Sequence, residues 1–174
     1  MTSIDHLWNG WRADYVTGAA PGPPPGEGSI FTRILHSGLD DVDTFIVHRS
    51  SRCFAILNAF PYSTGHLLVV PYREVADLTE LDGDETGDLW ATVGDAVRAV
   101  RASHQPPGLN VGINMGAVAG GSIAEHLHVH VVPRWMGDSN FMTSIANTRT
   151  LPEALVDSAR RVRDAWPDSA MRLV

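Results

Sequence analysis

The sequence predicts an α+β domain built on an antiparallel sheet. Short runs rich in β-branched and aromatic residues lie on both sides of one long amphipathic helix, where a doubly wound fold would alternate strands with several helices. Hydrophobic residues make up 44 % and charged residues 19 % of 174 positions, which marks a folded chain. A domain of this length buries roughly two-thirds of the surface its unfolded chain exposes, so it needs no metal or disulfide for stability.

In residues 1–17, Leu7, Trp11 and Tyr15 share one helical face, as in a docking arm that buries its aromatics. The stretch GAAPGPPPGEG at 18–28 reads as a spacer, rich in proline and glycine with little to bury. Residues 1–28 are therefore an arm and loop, 29–150 the central domain, and 151–174 a C-terminal helix and tail. Strands are expected over 43–49, 53–58, 66–71 and 109–115, with a turn-rich loop, PYSTG, at 61–65. Residues 84–104 form the long helix. Leu89, Val93, Ala96, Val97 and Val100 line one side of it, and Pro106, Pro107 and Gly108 stop it. A second helix is expected over 151–165, between Pro152 and Pro167.

Composition removes several chemistries. The one cysteine, Cys53, excludes an internal disulfide and a multi-cysteine zinc site; in a strand it reads as a small hydrophobe. All 13 basic residues are arginine, which excludes a P-loop lysine, a Schiff base and a pyridoxal-phosphate anchor. A net charge of −7 argues against nucleic acid or an anionic membrane as partner. No segment reads as a signal peptide or a membrane span, so a cytoplasmic protein is expected.

The informative stretch is GGSIAEHLHVHVVPRW, at 120–135. On a strand, alternation puts His126, His128 and His130 on one face and Leu127, Val129 and Val131 on the other. Three readings stand side by side. The imidazoles form the polar face of an amphipathic strand. Two of them, His126 and His128 or His128 and His130, hold a metal with a ligand such as His66; all three span about 13 Å, too far to share one ion. Or they carry phosphoryl chemistry, with a neutral imidazole as nucleophile and Gly120, Gly121 and Ser122 turning N–H groups toward an anion. Arg73 and Arg134 are either phosphate contacts or surface charges. Trp135 either stacks on a base or packs in a core or interface.

HLHVHVV matches the His-φ-His-φ-His-φ-φ signature of the histidine triad (HIT) family of nucleotide hydrolases and transferases. ILNAFPYSTGHLLVVPYR at 56–73 resembles that family's strand–loop–strand segment, and Asn114 with Gly120–Gly121–Ser122 resembles its phosphate loop. The resemblance implies a five-stranded antiparallel sheet with one long helix, paired into a homodimer or larger assembly. It implies that His128 attacks an α-phosphorus to give a nucleotidyl-histidine, flanked by His126 and His130 and supported by His66. Asn58 would lie near the ribose, and Asn114, Gly121 and Ser122 on phosphate oxygens. The implied partners are a nucleotide and inorganic phosphate. No metal is held by the chain and no cofactor is needed, although a divalent cation such as Mg²⁺ can accompany a polyphosphate.

Ser122 stands where hydrolase members carry glutamine, and the early cysteines of zinc-binding members are missing. Together with LWNGWRADYV and PRWMGDSNF, the serine form resembles the actinobacterial diadenosine tetraphosphate phosphorylase branch, in which phosphate takes the place of water as acceptor. The alternatives are a hydrolase of dinucleoside polyphosphates or nucleoside phosphoramidates, a nucleotide-binding sensor, and a metalloprotein.

Overall fold

A computed structural model describes residues 25–119, 123–138 and 153–168. The expected arm and the Gly120–Ser122 run lie outside the described residues. The elements are α1 (Ile30–Leu35), α2 (Asp41–Thr44), β1 (Ile46–Arg49), β2 (Cys53–Leu57), β3 (Leu67–Pro71), α3 (Gly83–His104), β4 (Gly108–Ile113), β5 (Val129–Arg134) and α4 (Leu155–Asp164). The strands form one sheet in the order β1-β2-β3-β5-β4, antiparallel throughout. The expected sheet, long helix and C-terminal helix are all present.

The boundaries differ in three places. The strand expected from residue 43 starts at Ile46, because Asp40 opens a helical turn instead: the Asp43 and Thr44 N–H groups both donate to its carbonyl, and the Thr44 hydroxyl does the same. Phe45, with φ 60°, reverses the chain into β1. The histidine run is not all strand. β5 begins at Val129, so His126 and His128 precede the ladder and only His130 sits in it. Helix α1 was not expected, since six residues are too few to show a helical period.

The sheet separates two apolar layers. On one face Ala55, Leu57, Leu67, Val69, Leu127, Val129 and Val131 pack against Leu89, Val93, Ala96, Ala99 and Val100 of α3 and Ala159 and Val162 of α4. Asp82 caps α3 in a reciprocal arrangement with Glu85. On the other face Phe54, Ile56, Leu68 and Val70 gather beneath Phe31 of α1. The histidines share this second, thinner layer: His130 is in register with Leu68, which is in register with Ile56.

Candidate active site

Four imidazoles meet where the loop before β3 faces the segment leading into β5. His66, 1 % exposed, ends the 61–65 loop. Its Nδ1 accepts the Tyr62 backbone N–H at 3.0 Å and lies 3.4 Å from the Asn58 amide nitrogen. A nitrogen that accepts carries no proton, so the proton of neutral His66 sits on Nε2. From there it is donated to His130 Nδ1 at 3.0 Å. His130 in turn carries its proton on Nε2, 3.4 Å from the Asn114 side chain.

His128 has the opposite tautomer. Its Nδ1 is 2.8 Å from the carbonyl of His126, and a carbonyl only accepts, so Nδ1 bears the proton. Nε2 is left with its lone pair, the nucleophilic form of the ring. His126 is buried at 0 % exposure, with Nε2 donating to the Pro71 carbonyl at 2.9 Å and Nδ1 2.6 Å from the Ser29 hydroxyl. Phe31 lies 5.4 Å from both the His126 and His128 rings, and Tyr62 stacks on His130 at 5.8 Å.

Burial favours the neutral form of all three ladder histidines, holding each below the ordinary histidine value. For His130, burial and the neighbouring His128 push the value down to about 4. A neutral ring at physiological pH is what nucleophilic attack requires.

A cavity of about 480 Å³ opens at His130 and runs along the sheet past Asn114, Gly112, Asn110 and Val132 to Arg134. Arg134 is held there by Asp138 and by the Asn110 side-chain oxygen. Arg73, the other candidate phosphate contact, is turned away and pairs with Glu85 at 2.6 Å. Trp135 is half-buried past the end of β5, its N–H on Asp138, and does not line this cavity. Gly121 and Ser122 fall outside the described residues. Among those described, no group of three or more His, Cys, Asp or Glu is arranged to hold a metal ion, and His126 has both ring nitrogens engaged. Cys53 is buried, its thiol pushed up to about 11 by desolvation, which suits an inert core residue.

Three contributors escaped the sequence reading. Ser29 and Phe31 sit 97 and 95 or more positions from the imidazoles they touch, in a helix too short to recognise. Tyr62 was read only as part of a loop; an aromatic in a turn between two strands was the one available signal.

The HIT domain profile matches residues 40–136, a span that holds all four site histidines, Asn58 and Asn114. The chain belongs to the HIT family. A HIT relative from Mycobacterium tuberculosis (strain H37Rv), named AP-4-A phosphorylase, is 41 % identical over 167 residues, 94 % of this chain and 85 % of that protein. The bis(5'-nucleosyl)-tetraphosphatase [asymmetrical] of Schizosaccharomyces pombe is 32 % identical over 97 residues, 56 % of this chain and 53 % of that protein. Among solved structures, a hypothetical histidine triad nucleotide-binding protein from Sulfolobus tokodaii strain 7 superposes with a TM-score of 0.64 at 28 % identity, covering 78 % of this chain and 89 % of that one. The HIT match begins after α1, so Ser29 and Phe31 belong to the part of the site outside the matched span.

Proposed function

We propose that this HIT protein is an enzyme that splits diadenosine tetraphosphate by nucleotidyl transfer through His128, with inorganic phosphate as acceptor and ADP and ATP as products. The observation that carries it is the His128 tautomer: a buried, neutral imidazole whose Nδ1–H is anchored on the His126 carbonyl and whose Nε2 keeps its lone pair. The likeness to the M. tuberculosis AP-4-A phosphorylase over 94 % of the chain supports the substrate and the acceptor.

In the first step the Nε2 lone pair attacks an α-phosphorus. The P–N bond forms as the bond to the bridging oxygen breaks, and that oxygen leaves as the terminal phosphate oxygen of ATP. Such a leaving group is a stable anion near neutral pH, so the neutral His126, His130 and His66 suffice around it. In the second step a phosphate oxygen attacks the same phosphorus, the P–N electron pair returns to Nε2, and AMP joined to phosphate departs as ADP. The cavity beyond His130, lined by the carboxamides of Asn110 and Asn114 and by Arg134, is the natural seat for the departing end of the substrate.

Water competes at about 55 M, so the site must hold phosphate beside the intermediate. The Ser122 hydroxyl is assigned to that phosphate on the sequence resemblance, and Ser122→Ala should raise KM for phosphate more than KM for the dinucleotide. The test is incubation with diadenosine tetraphosphate with and without phosphate. ADP formed only with phosphate supports the reading. AMP and ATP formed at one rate in both arms replaces it with the hydrolase, the activity named for the S. pombe relative. The same proposal includes a homodimer or larger assembly in the cytoplasm, and a divalent cation only as companion of the polyphosphate.

A further inference from the structure

We infer that Ser29, braced by Glu74, is a positioning residue that keeps His128 in its attacking tautomer by pinning His126. The inference rests on the reading of His128 as the nucleophile. It starts from where the sheet stops. The β5 ladder begins at Val129, so the peptide carrying the His126 carbonyl, on which the His128 tautomer depends, lies outside it. The Leu127 N–H donates to the Val75 carbonyl, one backbone tie in this stretch. The His126 side chain supplies two more anchors. Nε2–H donates to the Pro71 carbonyl at the end of β3, and Nδ1 meets the Ser29 hydroxyl at 2.6 Å. Because His126 Nε2 carries the ring proton, Nδ1 accepts, and the serine donates.

Ser29 is itself held from three directions. It is 1 % exposed and caps α1, its Oγ accepting the Thr32 N–H at 3.2 Å. Its own N–H donates to Glu74 Oε2 at 2.9 Å, and the Thr32 hydroxyl donates to the same oxygen at 2.5 Å. Gly28 makes that approach possible: its φ is +82°, and a Cβ there would stand 2.8 Å from Glu74 Oε2. The chain of contacts therefore runs from Glu74 through Ser29 and His126 to the His126 carbonyl and His128 Nδ1–H.

Removing the Ser29 hydroxyl leaves His126 Nδ1 buried with no donor. The ring relieves this by moving its proton to Nδ1 or by rotating, and either change breaks the bond to Pro71. The His126 peptide then shifts, His128 loses its acceptor, and it divides between two tautomers, one of which has no lone pair on Nε2.

Two-bond ¹H–¹⁵N spectra of the histidine-labelled protein read this directly and need no substrate. Wild type should show His128 protonated on Nδ1, and His126, His66 and His130 on Nε2. Ser29→Ala should show His128 as a mixture, with kcat for adenylyl transfer down about tenfold or more while KM for the dinucleotide stays within about twofold. Ser29→Thr, which keeps the hydroxyl, should restore both. Retention of the pure His128 pattern and a wild-type kcat in Ser29→Ala overturns the inference. If Ser29→Ala fails to fold, Glu74→Ala, an exposed change, takes its place: a smaller shift of the same kind supports the inference, and none overturns it. A wild-type protein with the expected tautomers but no product from diadenosine tetraphosphate would sink the proposed activity and leave the tautomer chain standing.

Discussion

A histidine is a nucleophile only through a nitrogen that bears a lone pair, and its other nitrogen decides which one that is. The middle position of the HLHVHVV run is the one ladder histidine whose Nδ1 faces a backbone carbonyl; His126 and His130 face a serine and a histidine. His128→Ala should therefore drop turnover below about one-thousandth of wild type, while His126→Ala and His130→Ala retain more. A nucleotidyl adduct trapped on His126 or His130 of the wild type would refute this order. Burial also fixes the pH behaviour. Since desolvation holds His128 below 6.5, the acid limb of kcat/KM should be centred below pH 6.5. A profile between pH 4 and 8 with its acid limb above that value contradicts the assignment.

At the scale of elements, the site is held by segments just outside regular structure. Gly65 precedes His66 with φ +77°, and its backbone lies against the face of the buried His104 ring at the end of α3: an added Cβ would stand 3.2 Å from three ring atoms. His104 is fixed in turn by Ser103, Glu153 and Ser158, which tie α3 to the start of α4. Gly65→Ala has to adopt a left-handed conformation and push this ring, which should cost about 1–3 kcal/mol in a denaturant titration. It should also lower kcat, because Tyr62 and His66 ride on the same loop. A variant as stable and as active as wild type would show that the contact carries no weight. The sequence marked residues 61–65 as a turn, but what the turn rests on comes from a helix end almost 40 residues further along the chain.

For the whole molecule, buried neutral imidazoles and a paired carboxylate make stability depend on acid. His104, His126, His128 and His130 all have values lowered by burial. Below pH 6.5 the unfolded chain takes up protons that the folded chain refuses, so this contribution is full above 6.5 and declines as pH falls, down to about 4 for His130. Arg73 and the N–H of Asp82 hold Glu85 at about 2. Its contribution is full above its ordinary value of 4.5 and is lost as pH falls toward 2. Denaturation midpoints should thus fall in two stages, from pH 6.5 to 4 and again below 4.5. His130→Asn should flatten the first stage and Arg73→Ala the second. A midpoint that stays constant from pH 7 to 4 would exclude the buried neutral histidines.

The sequence by itself determined the two periodicities. Alternation in LHVHV sent the aliphatics into the main core and the imidazoles to the opposite face, and the helical spacing of Leu89, Val93, Ala96 and Val100 laid α3 across the sheet. Both are local: a residue's face follows from its own phase in its own element. The four-histidine combination was legible for the same reason, since it is a spacing. Only the tertiary structure decided which nitrogen of each histidine carries the proton, that His126 and His128 stand ahead of β5, and that Ser29 and Phe31 complete the site. Each of those depends on a partner tens of residues away, brought near by the pairing of β3 with β5 and by the packing of α1 beneath them, and a hydrogen-bond partner leaves no period in a sequence.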